Sequence, residues 1–139
     1  MKRRAPKKLD PQKPFRRNAA RAVGLRLEEL RRLARGALEP GDSAAQHEMR
    51  IAAKRLRYAL EISGPCLGDG AGAAREVAAQ LQSVLGELHD CDVLAPKAEG
   101  VESLTAFLRT RREMLFARFR ELWGDDATQG ALDALEHSL

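Results

Sequence analysis

Residues 47–61 read HEMRIAAKRLRYALE, a stretch that suits one kind of element and gives it two unlike faces. At about 100° per residue on a helix, His47, Arg50, Lys54, Arg57 and Glu61 fall within a stripe of roughly 80°. Met49, Ala53, Leu56 and Leu60 lie on the opposite side. One face packs and the other carries charge. A solvated helix usually mixes its signs, so that Glu and Lys pair across a turn. Here Arg50, Lys54 and Arg57 stand in file about 5 Å apart, and such a row repels itself unless something negative lies along it.

With 139 residues the chain has room for one domain and one core. No apolar run approaches the ~18 residues of a membrane span, and the basic N-terminus lacks the apolar segment of a secretory signal. A cytoplasmic location and no membrane contact are therefore expected. Cys66 and Cys91 lack CxxC spacing and read as reduced thiols acting as small hydrophobes.

Charge is uneven along the chain. Residues 1–17 hold eight of the 24 basic residues and one of the 20 acidic ones, Asp10, so the remainder is mildly acidic. An anion site on that remainder must come from local arrangement. The segment 1–17, with Pro6, Pro11 and Pro14, is expected to be a disordered basic tail, either a solubilising arm or one that touches a polyanion.

Residues 18–139 read as helices broken by Gly and Pro, with no strand pattern. The first is expected over 18–38, with Val23, Leu27, Leu30, Ala34 and Ala37 inward. The second spans 44–63, opened by a capping box of Ser43 and Gln46 and stopped by Gly64-Pro65. A glycine-rich spacer through Gly68, Gly70 and Gly72 follows. It is not a phosphate loop, having no preceding strand and no GK[ST] ending. The third helix spans 73–89, with Val77, Leu81, Val84, Leu85 and Leu88 as its core face. The fourth spans 102–123, with an apolar stripe of Leu104, Phe107, Leu108, Met114, Leu115, Phe119 and Leu122. Arg111 and Arg118 fall inside that stripe, where arginine needs a carboxylate partner or an anion-filled groove. A short fifth helix over 128–138 has Asp126 as N-cap. The expected fold is all-α, an up-down four-helix bundle with a short C-terminal helix.

Several chemistries compete. A metal-dependent phosphohydrolase would need His47, His89, Asp90 and Asp92, but no H-x-x-x-H or C-x-x-C pair puts ligands on one helical face. Cys91 has no oxyanion hole or base set around it in sequence. Asp90 and Asp92 read better as ion-pair partners for Arg50, Arg55 or Arg57. A nucleic-acid binder using the same stripe is the main alternative, although aromatic residues make up only 4% of the chain and leave few stacking platforms.

HEMRIAAKRLRYALE, followed by LQSVLGELHDCDVL over 81–94, resembles the conserved histidine α-helical domain family, CHAD. The first motif of that family, H-x-x-R-x-x-x-(R/K)-R-L-R, falls on His47, Arg50, Lys54, Arg55, Leu56 and Arg57. The second, L-G-x-x-(R/H/N)-D-x-D-V, falls on Leu85, Gly86, His89, Asp90, Asp92 and Val93. The resemblance implies an all-helical, non-enzymatic protein that binds inorganic polyphosphate through basic helix faces and associates with polyphosphate granules. It places anion contacts on Arg50, Lys54, Arg55 and Arg57, with His47 beside them, and makes Asp90 and Asp92 structural. To these, the periodicity of the fourth helix adds Arg111 and Arg118. Neither a metal nor a cofactor is expected. The family usually carries two such bundles and this chain one copy of the motif, so a homodimer is expected.

Overall fold

A computed structural model describes the backbone of residues 12–139 and the side chains from Pro14 onward. It contains α1 (Gln12–Ala37), α2 (Ser43–Leu67), α3 (Gly70–Leu94), a single 3-10 turn (Pro96–Ala98), α4 (Glu102–Gly124) and α5 (Asp126–Ser138). The described chain is all-α, as its periodicity requires. α1 packs on α2, α2 on α3 and α3 on α4, while α5 lies against α3, α4 and the side of α1.

Each of the first three helices buries its expected apolar stripe. Val23, Leu30, Met49, Leu56, Leu81 and Leu88 are fully enclosed. α4 and α5 close the core with Leu115, Phe119, Leu132 and Leu135.

The boundaries differ from expectation in ways that packing explains. α1 starts at Gln12, so residues 12–17 are helical and not tail. Pro14 sits in the first turn, where a missing N–H leaves no bond unmade. The part of the expected tail before Gln12 lies outside the described residues.

α2 does not stop at Gly64-Pro65 but runs through Pro65 to Leu67. Ser63 and Leu67 are both buried, and that packing holds the last turn despite the absent donor. The helix ends at Gly68, whose φ of 86° is open to glycine at little strain. The expected glycine spacer therefore shrinks to Gly68-Asp69, and α3 begins at Gly70. A Cβ at Gly70 would stand 3.3 Å from the carbonyl oxygen of Ala134, so α5 crosses close over the start of α3.

The α1–α2 turn is held by other groups than the expected capping box. Asp42 is the N-cap, its Oδ1 accepting the Ala45 N–H at 3.0 Å. Buried Gln46 reaches back instead, and its Nε2 donates to the carbonyls of Ala37, Glu39 and Pro40 at 3.2, 2.9 and 3.3 Å. Ala37 carries one of the orphan carbonyls at the end of α1, and Glu39 and Pro40 lie in the turn that follows. Asp125, not Asp126, caps α5.

α4 has the largest departure. Its buried face is Leu108, Leu115, Phe116 and Phe119. Leu104, Phe107 and Met114, expected in the same stripe, are 44%, 59% and 50% exposed.

Candidate functional site

The stripe on α2 runs along the seam with α3. Its packing face, Met49, Ala53, Leu56 and Leu60, is buried, and this fixes the helix's rotation. His47, Arg50, Lys54 and Arg57 are consequently half-buried at the edge of the core. The neighbouring helix leaves room for them. A Cβ at Gly86 would stand 3.3 Å from Arg50 Nε and 3.9 Å from its Cδ, so the arginine stem lies across α3 where no side chain intervenes. One turn further along α3, the His89 ring stacks on His47, with centroids 4.1 Å apart and planes inclined by 19°.

The seam holds polar atoms without partners. Nδ1 of His47, Nε of Arg50, Nε of Arg57 and Oε1 of Gln82 are sealed from solvent with no hydrogen-bond partner among the described residues. Arg57 Nε comes within 3.5 Å of Glu61 Oε2, an ion contact without a hydrogen bond, and its guanidinium lies 5.0 Å from the Tyr58 ring centroid. Unmade bonds of this kind are unfavourable unless a ligand completes them. Electrostatics agree. Burial pushes the His47 pKa below its usual 6.5, the neighbouring His89 and Arg50 push it further, and Glu48 only partly opposes them. The ring sits in a positive, poorly hydrated place.

The seam gathers His47, Arg50, Lys54 and Arg57 but not the other expected contacts. Arg55 points to the α1 side, 3.5 Å from Glu29 Oε2. Arg111 bridges from α4 to Glu87 on α3 at 2.7 Å, so it has a carboxylate partner away from the α2 stripe. Arg118 is exposed, not inward, and lines a surface hollow with Glu121, Asp125 and Asp126. Asp92 does not pair with the α2 arginines. Arg112 on α4 grips it through Nε at 2.6 Å and Nη2 at 3.3 Å. The same guanidinium donates to the Pro40 carbonyl at 2.9 Å and to Gln46 Oε1 at 2.5 Å. Arg112 thus joins α4, α3 and the α1–α2 turn.

Gly86, Gln82 and Arg112 were not singled out as contributors by the residue patterns, and His89 only as a metal candidate and a position of the second family motif. Gly86 and His89 are spaced to share a face of α3, which is a usable signal once α2 is known to lie against it. Arg112 carries no comparable mark.

The chain is thus an all-α protein in which a row of cations and unpaired buried polar atoms lines a two-helix seam. The CHAD domain family model matches residues 1–99, and the chain belongs to that family. The match covers α1, α2, α3 and the 3-10 turn, and α4 and α5 lie beyond it. No curated protein and no solved structure matches the chain. Among the described residues, no helix is long and apolar enough to cross a membrane.

Proposed function

We propose that this protein binds inorganic polyphosphate, without chemical turnover, along the α2–α3 seam. The observation that carries this reading is the file of Arg50, Lys54 and Arg57 with unpaired, sealed donors on both arginines. A phosphate chain presents oxygens at short intervals, and rigid helical spacing lets successive donors meet them. Arginine forks grip adjacent oxygens and lysine adds a point charge. CHAD membership supports the choice of polyphosphate over other anions. The engagement of Asp92 by Arg112, and the face-to-face stacking of His47 on His89, speak against a phosphohydrolase built on those groups.

The test is the double variant Arg50→Glu/Arg57→Glu, titrated calorimetrically with polyphosphate. Affinity should fall by about tenfold or more while helix content stays near wild type, because both positions lie off the Met49–Leu56–Leu60 face. Unchanged affinity in the folded variant would move the site elsewhere. Binding should also weaken with salt, as counterions leave the polyanion. Equal affinity for DNA or RNA at matched phosphate concentration would make the nucleic-acid reading the better one. Phosphate release on adding a divalent metal would overturn the non-enzymatic one.

We further propose that the chain forms a homodimer through the exposed Leu104, Phe107 and Met114 of α4. In an antiparallel pairing of this face with itself, Phe107 lies opposite Met114, and Arg118 comes beside the acidic start of the facing helix at Glu102. One patch thereby serves both subunits. Assembly at this face brings two copies of the motif into one particle.

A further inference from the structure

We propose that His89, together with His47, belongs to the phosphate site as a stacked pair that takes up one proton from solvent when phosphate oxygens settle beside Arg50. This rests on the polyphosphate reading above and assigns that site a proton linkage.

The geometry begins in the sequence. His47 and Arg50 are three residues apart on α2, and Gly86 and His89 are three apart on α3. Such spacings put each pair on one face. The two helices bring the pairs together, with Arg50 beside Gly86 and the two rings stacked at 4.1 Å. An anion bridging the Arg50 guanidinium therefore arrives next to both imidazoles.

Protons respond to that arrival. Two neutral rings stack without penalty, and one imidazolium over one neutral ring is favourable as a cation–π contact. Two imidazolium ions at this separation repel strongly, so the pair has room for one proton. In the free protein, burial, His89 and Arg50 all push His47 toward its neutral form. An anion on Arg50 cancels the arginine's field and adds an attraction of its own, which favours the protonated pair. Internal phosphates of a chain already carry their charge at neutral pH, so the proton comes from solvent and ends on an imidazole nitrogen.

The other charges around the pair do not supply this effect. On its own helix, His47 feels Glu48 and Arg50, and on α3 it feels His89. On α4, Arg112 reaches Gln46 and is held by Asp92. The carbonyls of Ala37 at the end of α1 and of Glu39 and Pro40 in the turn are bonded to Gln46.

The test is calorimetric titration with long-chain inorganic polyphosphate in buffers of different ionisation enthalpy. Near neutral pH, the dependence of heat on buffer should report uptake of up to one proton per site. Affinity should rise by up to about tenfold per pH unit on going from about pH 8 to about pH 6. His89→Phe keeps a ring to stack on His47 but removes a basic nitrogen. It should flatten the pH dependence and reduce the buffer dependence. Circular dichroism checks that the variant is folded, and the wild-type proton count stands whatever the variant does. Polyphosphate binding with no proton uptake overturns the linkage and leaves the polyphosphate reading intact. An unchanged pH slope in folded His89→Phe overturns the role of His89. Absence of polyphosphate binding at every pH takes both down.

Discussion

Arg50 and Gly86 face each other across the α2–α3 seam so closely that a methyl group on Gly86 would stand 3.3 Å from Arg50 Nε. Glycine inside a helix normally weakens it by about 1 kcal/mol relative to alanine. Retaining it here keeps the arginine's resting place open. Gly86→Ala should therefore separate stability from binding. The unfolding midpoint should stay level or rise, while polyphosphate affinity falls by about fivefold, or about 1 kcal/mol. Parallel thermal unfolding and titration decide the matter, and a variant that loses stability yet keeps its affinity would show that the glycine serves helix packing alone.

Arg112 holds four acceptor atoms on Asp92, Pro40 and Gln46 with one guanidinium. Removing it leaves a half-buried carboxylate and the buried amide oxygen of Gln46 without their donor. Arg112→Ala should destabilise the protein by about 1–3 kcal/mol, read from urea unfolding. Arg112→Lys should recover little of this, because an ammonium group cannot reach around the same fork. Full rescue by lysine would mean that charge alone matters.

The pH dependence of stability follows from His47. Its folded pKa is lowered from 6.5, with burial as the largest cause, followed by His89 and Arg50. The unfolded chain then binds this proton at higher pH than the folded one does, so stability increases with pH across the window just below 6.5. For the anion-free protein, the urea midpoint should drop as pH falls from about 7 toward about 5.5. His47→Gln should make that decline shallower. A midpoint that rises on acidification through this window would contradict the direction.

The α4 face makes a separate prediction about mass. Light scattering should give a dimer for the wild type and a monomer for Leu104→Glu/Phe107→Glu. Both side chains are well exposed, so the variant should keep its fold. A wild-type monomer, with and without polyphosphate, would remove the dimer and leave a single-chain binder.

Much of α2 and α3 was legible because their apolar residues repeat on one face only. Leu56, Leu60, Leu81, Leu85 and Leu88 are buried as their spacing predicts. α4 was not, because its apolar residues cover more than half of the helix surface. Periodicity alone could not show that Leu108 and Leu115 turn inward while Phe107 and Met114 turn out. Pro65 misled for a related reason, since local propensity yields to the burial of Leu67 beyond it. For the site, the cationic file on α2 was visible from charge spacing. The partners of charges were not, because pairing depends on which helices become neighbours. Arg111, Arg112 and Arg118 are close in sequence, yet they meet respectively a glutamate on α3, an aspartate with the α1–α2 turn, and a solvent-facing hollow.

The family match ends at residue 99, but the Arg112 clamp shows that this is not where a cooperative unit ends. The guanidinium on the far side of that boundary fastens the turn from which the cationic helix starts. Leu132 and Leu135, still further along, close the same interior. The homologous segment and the remainder are therefore expected to be protected and released together in amide exchange. A fragment cut at residue 99 would carry the cationic row of α2 without the guanidinium that fastens the turn before it.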